Sequence, residues 1–194
     1  MIEQNIQAEQ PKQSLRLFIA VDMPPVVKDE VLRIQNYVEK KELLKGKFTA
    51  PDQIHITLKF LGDVPAELLP KIDGALKTIY LNTMKAQLGS LDLFSSGKII
   101  KILFLNVVCP ELSMLAKEIE ERLGQWFEPE KRPFVSHVTL ARIKGVEDRE
   151  RLAREINHCV VNPLSFEIDQ FVLKQSVLLP EGPIYTDIAV YKLY

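Results

Sequence analysis

The sequence predicts an α+β fold built as a bilobal, pseudo-twofold duplication, with antiparallel sheets lining a central cleft and helices outside. Three observations carry this. A short pattern occurs twice, as His55-Ile56-Thr57-Leu58 and His137-Val138-Thr139-Leu140, 82 residues apart. Each copy lies in a run where apolar and polar residues alternate, the signature of a half-buried strand. Around each copy the elements follow one order: strand, helix, His-x-Thr strand, helix, strand. The chain has three histidines and six threonines in 194 residues. Two histidines each meeting a threonine two positions on has a chance on the order of 0.3%, and a leucine next in both lowers it to on the order of 0.005%. The pair is a selected feature.

Met1 to Ser14 is polar and rich in glutamine, with no apolar stretch of a signal peptide, and is expected to be a flexible tail (1–14). Residues 15–194 are expected to form a single bilobal domain. Leu15 to Val21 reads as a strand. Pro25 starts a helix to about Leu44, with Val27, Val31, Ile34 and Val38 on one face. The His55 strand ends at a breaker, Gly62-Asp63-Val64-Pro65. A helix from about Ala66 to Tyr80 and a strand from about Lys85 to Phe94 complete the first half.

The second half opens with a strand at about Ile100 to Val108. Pro110 leads a helix with Leu112, Leu115, Ile119 and Leu123 on one face. The His137 strand gives way to the polar Lys144-Gly145-Val146, then a charged helix from about Glu147 to Cys159. Two strands, near 165–174 and 185–193, are joined by a Pro180-Glu181-Gly182-Pro183 turn.

Composition bounds the function classes. A net charge of −1 excludes broad electrostatic wrapping of nucleic acid, so a nucleic-acid substrate would be held locally. Cys109 and Cys159 form neither a CxxC pair nor a cluster with histidine and read as free thiols in a reducing compartment. The apolar run 99–109 is broken by Lys101 and too short to span a bilayer. A cytoplasmic monomer with no membrane association is expected.

In a strand, residues i and i+2 share a face. His55 therefore projects with Thr57, and His137 with Thr139, while their apolar neighbours face a core. An imidazole titrates near pKa ~6.5, so one of the pair can be charged and the other neutral at working pH. Such a pair protonates a leaving oxygen while deprotonating an attacking water. In-line displacement at a phosphodiester needs both, from opposite sides of phosphorus. The threonine hydroxyls are placed to bond the non-bridging oxygens, and a cation would offset the charge developing there. Arg142 lies five residues past His137, on the other face of a regular strand; a bend or bulge is needed to bring it to the site.

Zinc catalysis normally wants three protein ligands. Two histidines do not supply them, and Asp52 and Asp63 read as a turn residue and a cap. No metal and no cofactor are expected. His158 reads as a helix C-terminal histidine favoured by the dipole. Phe18 and Phe60 read as core aromatics, and Lys40, Lys41, Lys45 and Lys47 as a solvated helix end.

The paired motifs in duplicated lobes resemble the two-histidine phosphoesterase superfamily. The resemblance is closest to the bacterial and archaeal RNA 2′,3′-cyclic phosphodiesterases, historically called 2′-5′ RNA ligases. It covers nearly the whole chain after the tail: Arg16 to Val21, His55 to Gly62, Arg132-Pro133-Phe134 through Arg142, and Ser176 with Leu178 to Tyr185. It implies metal-independent opening of an RNA terminal 2′,3′-cyclic phosphate to a 2′-phosphomonoester. His55 would be the proton donor and His137 the proton acceptor, with Thr57, Thr139 and Arg142 on the substrate phosphate. RNA 3′ ends or small cyclic nucleotides are the implied substrates. The chain departs from the family at Lys101 and Phe104, where arginine and tryptophan are frequent, at Asn106 near a glycine position, and at Ser136, where proline commonly precedes the histidine. Two rival functions stand beside this reading: 2′-5′ RNA ligation or 2′-5′ linkage cleavage in the same site, and a nucleotide-binding module without catalysis.

Overall fold

A computed structural model describes residues 14–194. The expected tail thus lies outside the described residues except for Ser14, which opens β1 (Ser14–Asp22). Then follow α1 (Pro25–Lys40), β2 (Lys45–Phe48), β3 (His55–Pro65), α2 (Leu69–Leu76), β4 (Met84–Ser96), β5 (Ile99–Val108), α3 (Pro110–Leu123), β6 (His137–Gly145), α4 (Arg149–His158), β7 (Ser165–Ile168), β8 (Gln170–Leu179) and β9 (Gly182–Lys192). Two antiparallel sheets form, one in the order β3-β1-β8-β9 and the other β2-β6-β5-β4-β7.

The two sheets are not the two halves of the chain. β2 leaves the first half to pair with β6, and β8 and β9 return from the second half to complete the sheet of β1 and β3. The helices cross over as well: α1 packs on β6 and α3 on β3. Each motif strand is thus covered by the helix of the opposite half. β3 and β6 also lie against each other, which brings the two motifs together. The apolar core includes Ile56, Leu58, Val138 and Leu140, the inward neighbours of the motif residues, with Ile34 and Ile119 on the covering helices.

Several expected boundaries move, each for a local reason. The first helix stops at Lys40 rather than Leu44. Glu42 takes a left-handed conformation, φ 50°, and Leu43 N–H closes back on Val38 O at 3.3 Å, with the Leu43 side chain buried. β2, a Lys-Gly-Lys-Phe edge strand without alternation, was not anticipated. Gly62 bends β3 instead of ending it: at φ +72° it stands beside the register shift opposite Leu17 and Phe18, and pairing continues to Pro65. Asp63 is consequently a strand residue facing Arg16 at 3.9 Å, not a cap. The helix expected over 66–80 shortens to a 3₁₀ turn, Ala66–Leu68, and α2, because Thr78 Oγ1 donates to Ala75 O at 2.7 Å and competes with a further turn. The strand expected over 165–174 is two strands in different sheets, pivoting at Asp169, whose carbonyl accepts Leu193 N–H at 2.8 Å. α4 is capped by Asp148, which accepts Arg151 N–H at 2.8 Å. His158 ends it with Nδ1 on Arg154 O at 2.6 Å. No described helix is long and apolar enough to cross a membrane.

Candidate active site

His55 and Thr57 stand at the start of β3, and His137 and Thr139 at the start of β6. All four line one cleft of about 600 Å³ between the two motif strands. The two histidines are held alike. His55 Nδ1 lies 2.8 Å from Gln53 O and His137 Nδ1 lies 2.7 Å from Val135 O, in each case the carbonyl two residues earlier. A carbonyl only accepts, so Nδ1 carries the hydrogen in both rings and Nε2 is the atom left for chemistry. At His55 that Nε2 is 3.0 Å from Thr57 Oγ1, whose hydroxyl donates to it.

Aromatic rings pack on both imidazoles. Phe18 and Tyr185 stand 5.2 and 5.4 Å from His55, while Phe94 and Phe104 stand 4.9 and 5.2 Å from His137. This apolar packing penalises the charged ring. Burial holds His55 down at about 4 despite the Gln53 carbonyl and nearby Asp22, which pull the other way; Lys174 and His137 depress it further. Burial also lowers His137, opposed by Val135 O. With nothing bound, both rings are neutral near pH 7.

A β-bulge settles Arg142. In the β5–β6 ladder Phe104 pairs with Thr139 and Leu103 with Ala141, so Leu140 is the extra residue. The face alternation therefore resets after Leu140. Leu140 and Ala141 are both buried, and Arg142 turns out to the cleft with His137 and Thr139. β3 repeats the device at Leu58: Ala20 pairs with Thr57 and Ile19 with Lys59. Phe60 then occupies the position equivalent to Arg142. It is 61% exposed and lines the cleft, while Lys59 turns inward. The expectation of a core Phe60 is thus corrected. Phe18 is buried, as expected, with its ring against His55.

Beyond the expected residues the cleft is lined by Arg16, Lys47 and Tyr185. Sequence reasoning placed Lys47 in a solvated lysine cluster and gave Arg16 and Tyr185 no role, because sheet pairing sets β1 and β2 beside the motif strands and brings β9 to the site across β8 and β1. The lysine cluster is largely paired: Lys41 with Glu155 at 2.6 Å, Lys45 with Glu147 at 2.5 Å, and Lys47 with the Glu181 carbonyl. Lys101 and Arg132 line a second groove of about 1020 Å³ that opens beside His137, and Phe104 is buried against Phe94 at 4.0 Å. The Ser136 hydroxyl is buried without a partner. Cys109 and Cys159 are free thiols. Among the described residues, no group of three or more His, Cys, Asp or Glu side chains is placed to hold a metal ion.

Known proteins are similar to this chain in sequence and fold. The model of the family described as LigT-like phosphoesterase matches residues 21–101 and 107–185. The RNA 2′,3′-cyclic phosphodiesterase of Methanothermobacter thermautotrophicus is 33% identical over 184 residues, covering 92% of this chain and 99% of its own. That of Methanocaldococcus jannaschii is 30% identical over 172 residues, covering 88% and 96%. Among solved structures, a Thermus thermophilus protein superposes with a TM-score of 0.78 at 26% identity, over 92% of this chain and 97% of that one. Apo LigT of E. coli shares the fold at TM-score 0.72 and 22% identity, over 93% and 98%.

Proposed function

Because the chain belongs to the LigT-like phosphoesterase family, we propose that it hydrolyses RNA terminal 2′,3′-cyclic phosphates to 2′-phosphomonoesters, with His55 as acid and His137 as base and without a metal. One observation carries the proposal: both imidazoles are tethered through Nδ1 to a carbonyl, leaving both Nε2 atoms for a single cleft that also holds two threonines and Arg142. The relatives' activity supports the substrate class.

In this mechanism His137 Nε2 takes a proton from water as its oxygen bonds to phosphorus. His55 Nε2–H gives a proton to O3′ as the P–O3′ bond breaks, leaving phosphate on O2′. Thr57, Thr139 and Arg142 hold the non-bridging oxygens, where negative charge grows. Each histidine ends in the other's starting protonation state, and exchange with solvent resets both.

The acid requires a proton that His55 does not hold when the cleft is empty. The anionic phosphodiester supplies the compensation, since negative charge against the ring favours imidazolium. In the free enzyme the productive state, His55 charged and His137 neutral, is most populated between their two pKa values. His55 lies at about 4 and His137 below its usual 6.5. We therefore expect kcat/KM to peak on the acid side of pH ~6.5, and the basic limb of kcat to lie at higher pH than that of kcat/KM. Profiles of both between pH 4 and 9 check this; an optimum of kcat/KM above pH 8 contradicts it.

The direct test is incubation with a short RNA ending in a 2′,3′-cyclic phosphate, with EDTA present and products resolved by isomer. Clean 2′-phosphate is expected. A 3′-phosphate product, or activity lost on chelation and restored by a divalent cation, overturns the mechanism.

A second reading has its own observation. The groove of about 1020 Å³ opens beside His137, which on the proposed mechanism serves the attacking water on the side of phosphorus away from O3′, and has room for a nucleoside. In cleavage of a 2′-5′ linkage the 3′-hydroxyl attacks phosphorus and the 5′-oxygen leaves on that side. Turnover of a 2′-5′ dinucleotide, compared with a cyclic end, measures this reading.

A further inference from the structure

Gln35 is one of four polar or charged residues buried among those described, 6% exposed in the middle of α1. Its amide reaches out of the helix to two carbonyls, one in β6 and one just past the end of β2. Nε2 donates to Leu140 O and to Thr49 O, each at 2.9 Å. Leu140 is the bulge residue that turns Arg142 into the cleft, and its carbonyl also accepts Thr49 N–H at 2.9 Å. Thr49 starts the segment that runs through the 3₁₀ turn Pro51–Gln53 to His55, and Gln53 supplies the carbonyl that holds the His55 ring. One side chain therefore ties the irregular point of the His137 strand to the approach of the His55 strand.

The opposite helix carries a counterpart. Gln35 lies ten residues after Pro25, the first residue of α1, and Glu120 lies ten residues after Pro110, the first residue of α3. Glu120 pairs at 2.7 Å with Lys59, the residue just after the Leu58 bulge in β3. Each motif strand thus has a bulge following its His-x-Thr, and each bulge is met by a polar side chain from the same position of the crossing helix, Gln35 buried and Glu120 partly exposed on the buried Lys59. An amide serves one lobe and an ion pair the other. A packing role alone would be met by an apolar residue, as at Ile34 and Ile119. At the β6 bulge the amide adds a second donor to Leu140 O, beside Thr49 N–H, and supplies one to Thr49 O, and burying a carbonyl short of donors is costly.

We infer that Gln35 is a positioning residue: by holding the Leu140 carbonyl and the Thr49 carbonyl together, it sets the bulge that aims Arg142 at the substrate phosphate. This rests on the proposed reading of the site. It places no demand on Gln35 to touch substrate.

The test is a double-mutant cycle of Gln35→Met, which keeps the volume and removes the donor, with Arg142→Ala. It is read twice, as kcat/KM on a cyclic-phosphate end and as affinity for adenosine 2′-monophosphate. Gln35→Met alone is expected to lower both about tenfold, with KM and kcat both affected, and to add little once Arg142 is gone. Full additivity, or wild-type values in Gln35→Met, overturns the inference. Should Gln35→Met be too unstable to assay, Gln35→Asn carries the same cycle, being one methylene too short to reach both carbonyls. Wild-type protein that fails to turn over the cyclic end refutes the proposed reaction instead. The affinity arm then still decides whether Gln35 acts through Arg142.

Discussion

His137→Ala is expected to lower turnover of a 2′,3′-cyclic phosphate end by about 10²–10⁴-fold, and His55→Ala by a similar factor. Each imidazole makes few contacts that the fold needs. The His137 ring bonds Val135 O and meets Phe94 and Phe104, while the strand behind it is anchored by Val138 and Leu140. Circular dichroism and cooperative melting should therefore stay close to wild type. The two losses are not expected to multiply. With either proton-transfer partner gone the concerted path is closed, so the double variant should fall little below the worse single one. A single variant that keeps more than a tenth of wild-type kcat removes that residue from the acid–base pair. A variant that melts early points instead to a structural histidine.

Glu120→Ala is expected to cost about 3 kcal/mol of stability, a fall in Tm of about 6–12 °C for a chain of this size. The Lys59 side chain is only 2% exposed and its ammonium lies between Glu120 Oε1 at 2.7 Å and Glu128 O at 3.3 Å. Without Glu120 it stays buried with one neutral acceptor, which is the expensive way to break a buried pair. Lys59→Met is expected to cost less than about 1 kcal/mol, because the apolar chain fits where the lysine stem lay and Glu120, 25% exposed, reaches water. Thermal melts of the two variants side by side make the check. Equal losses would mean that the pair acts through packing rather than charge.

Part of this protein was legible along the chain. The alternation around His55 and His137 predicts strands with each histidine and its threonine on one face, and the inward partners Ile56, Leu58, Val138 and Leu140 are buried in the structure. Helical spacing of Val27, Val31, Ile34 and Val38 names the buried face of α1. These are local properties: a period of two or of about 3.6 is written into consecutive residues and survives whatever the element packs against.

What the chain leaves open is non-local. Residues 165–174 read as one strand because a β pattern does not say which sheet its hydrogen bonds join, and Asp169 divides them between two. Phe60 reads as core and Arg142 as facing away until a bulge resets the alternation. That bulge depends on neighbours far along the chain: Ile19 and Ala20 in one lobe, Leu103 and Phe104 in the other, with Gln35 holding Leu140 across 105 positions. The sequence by itself determined which groups are proposed for acid–base chemistry, since residue type and a spacing of two suffice to single them out. Only the tertiary structure decided that they share one cleft, that burial keeps both rings neutral at rest, and that Arg142 joins them. Distance, desolvation and bulge geometry all arise from surfaces that meet only when the chain has folded.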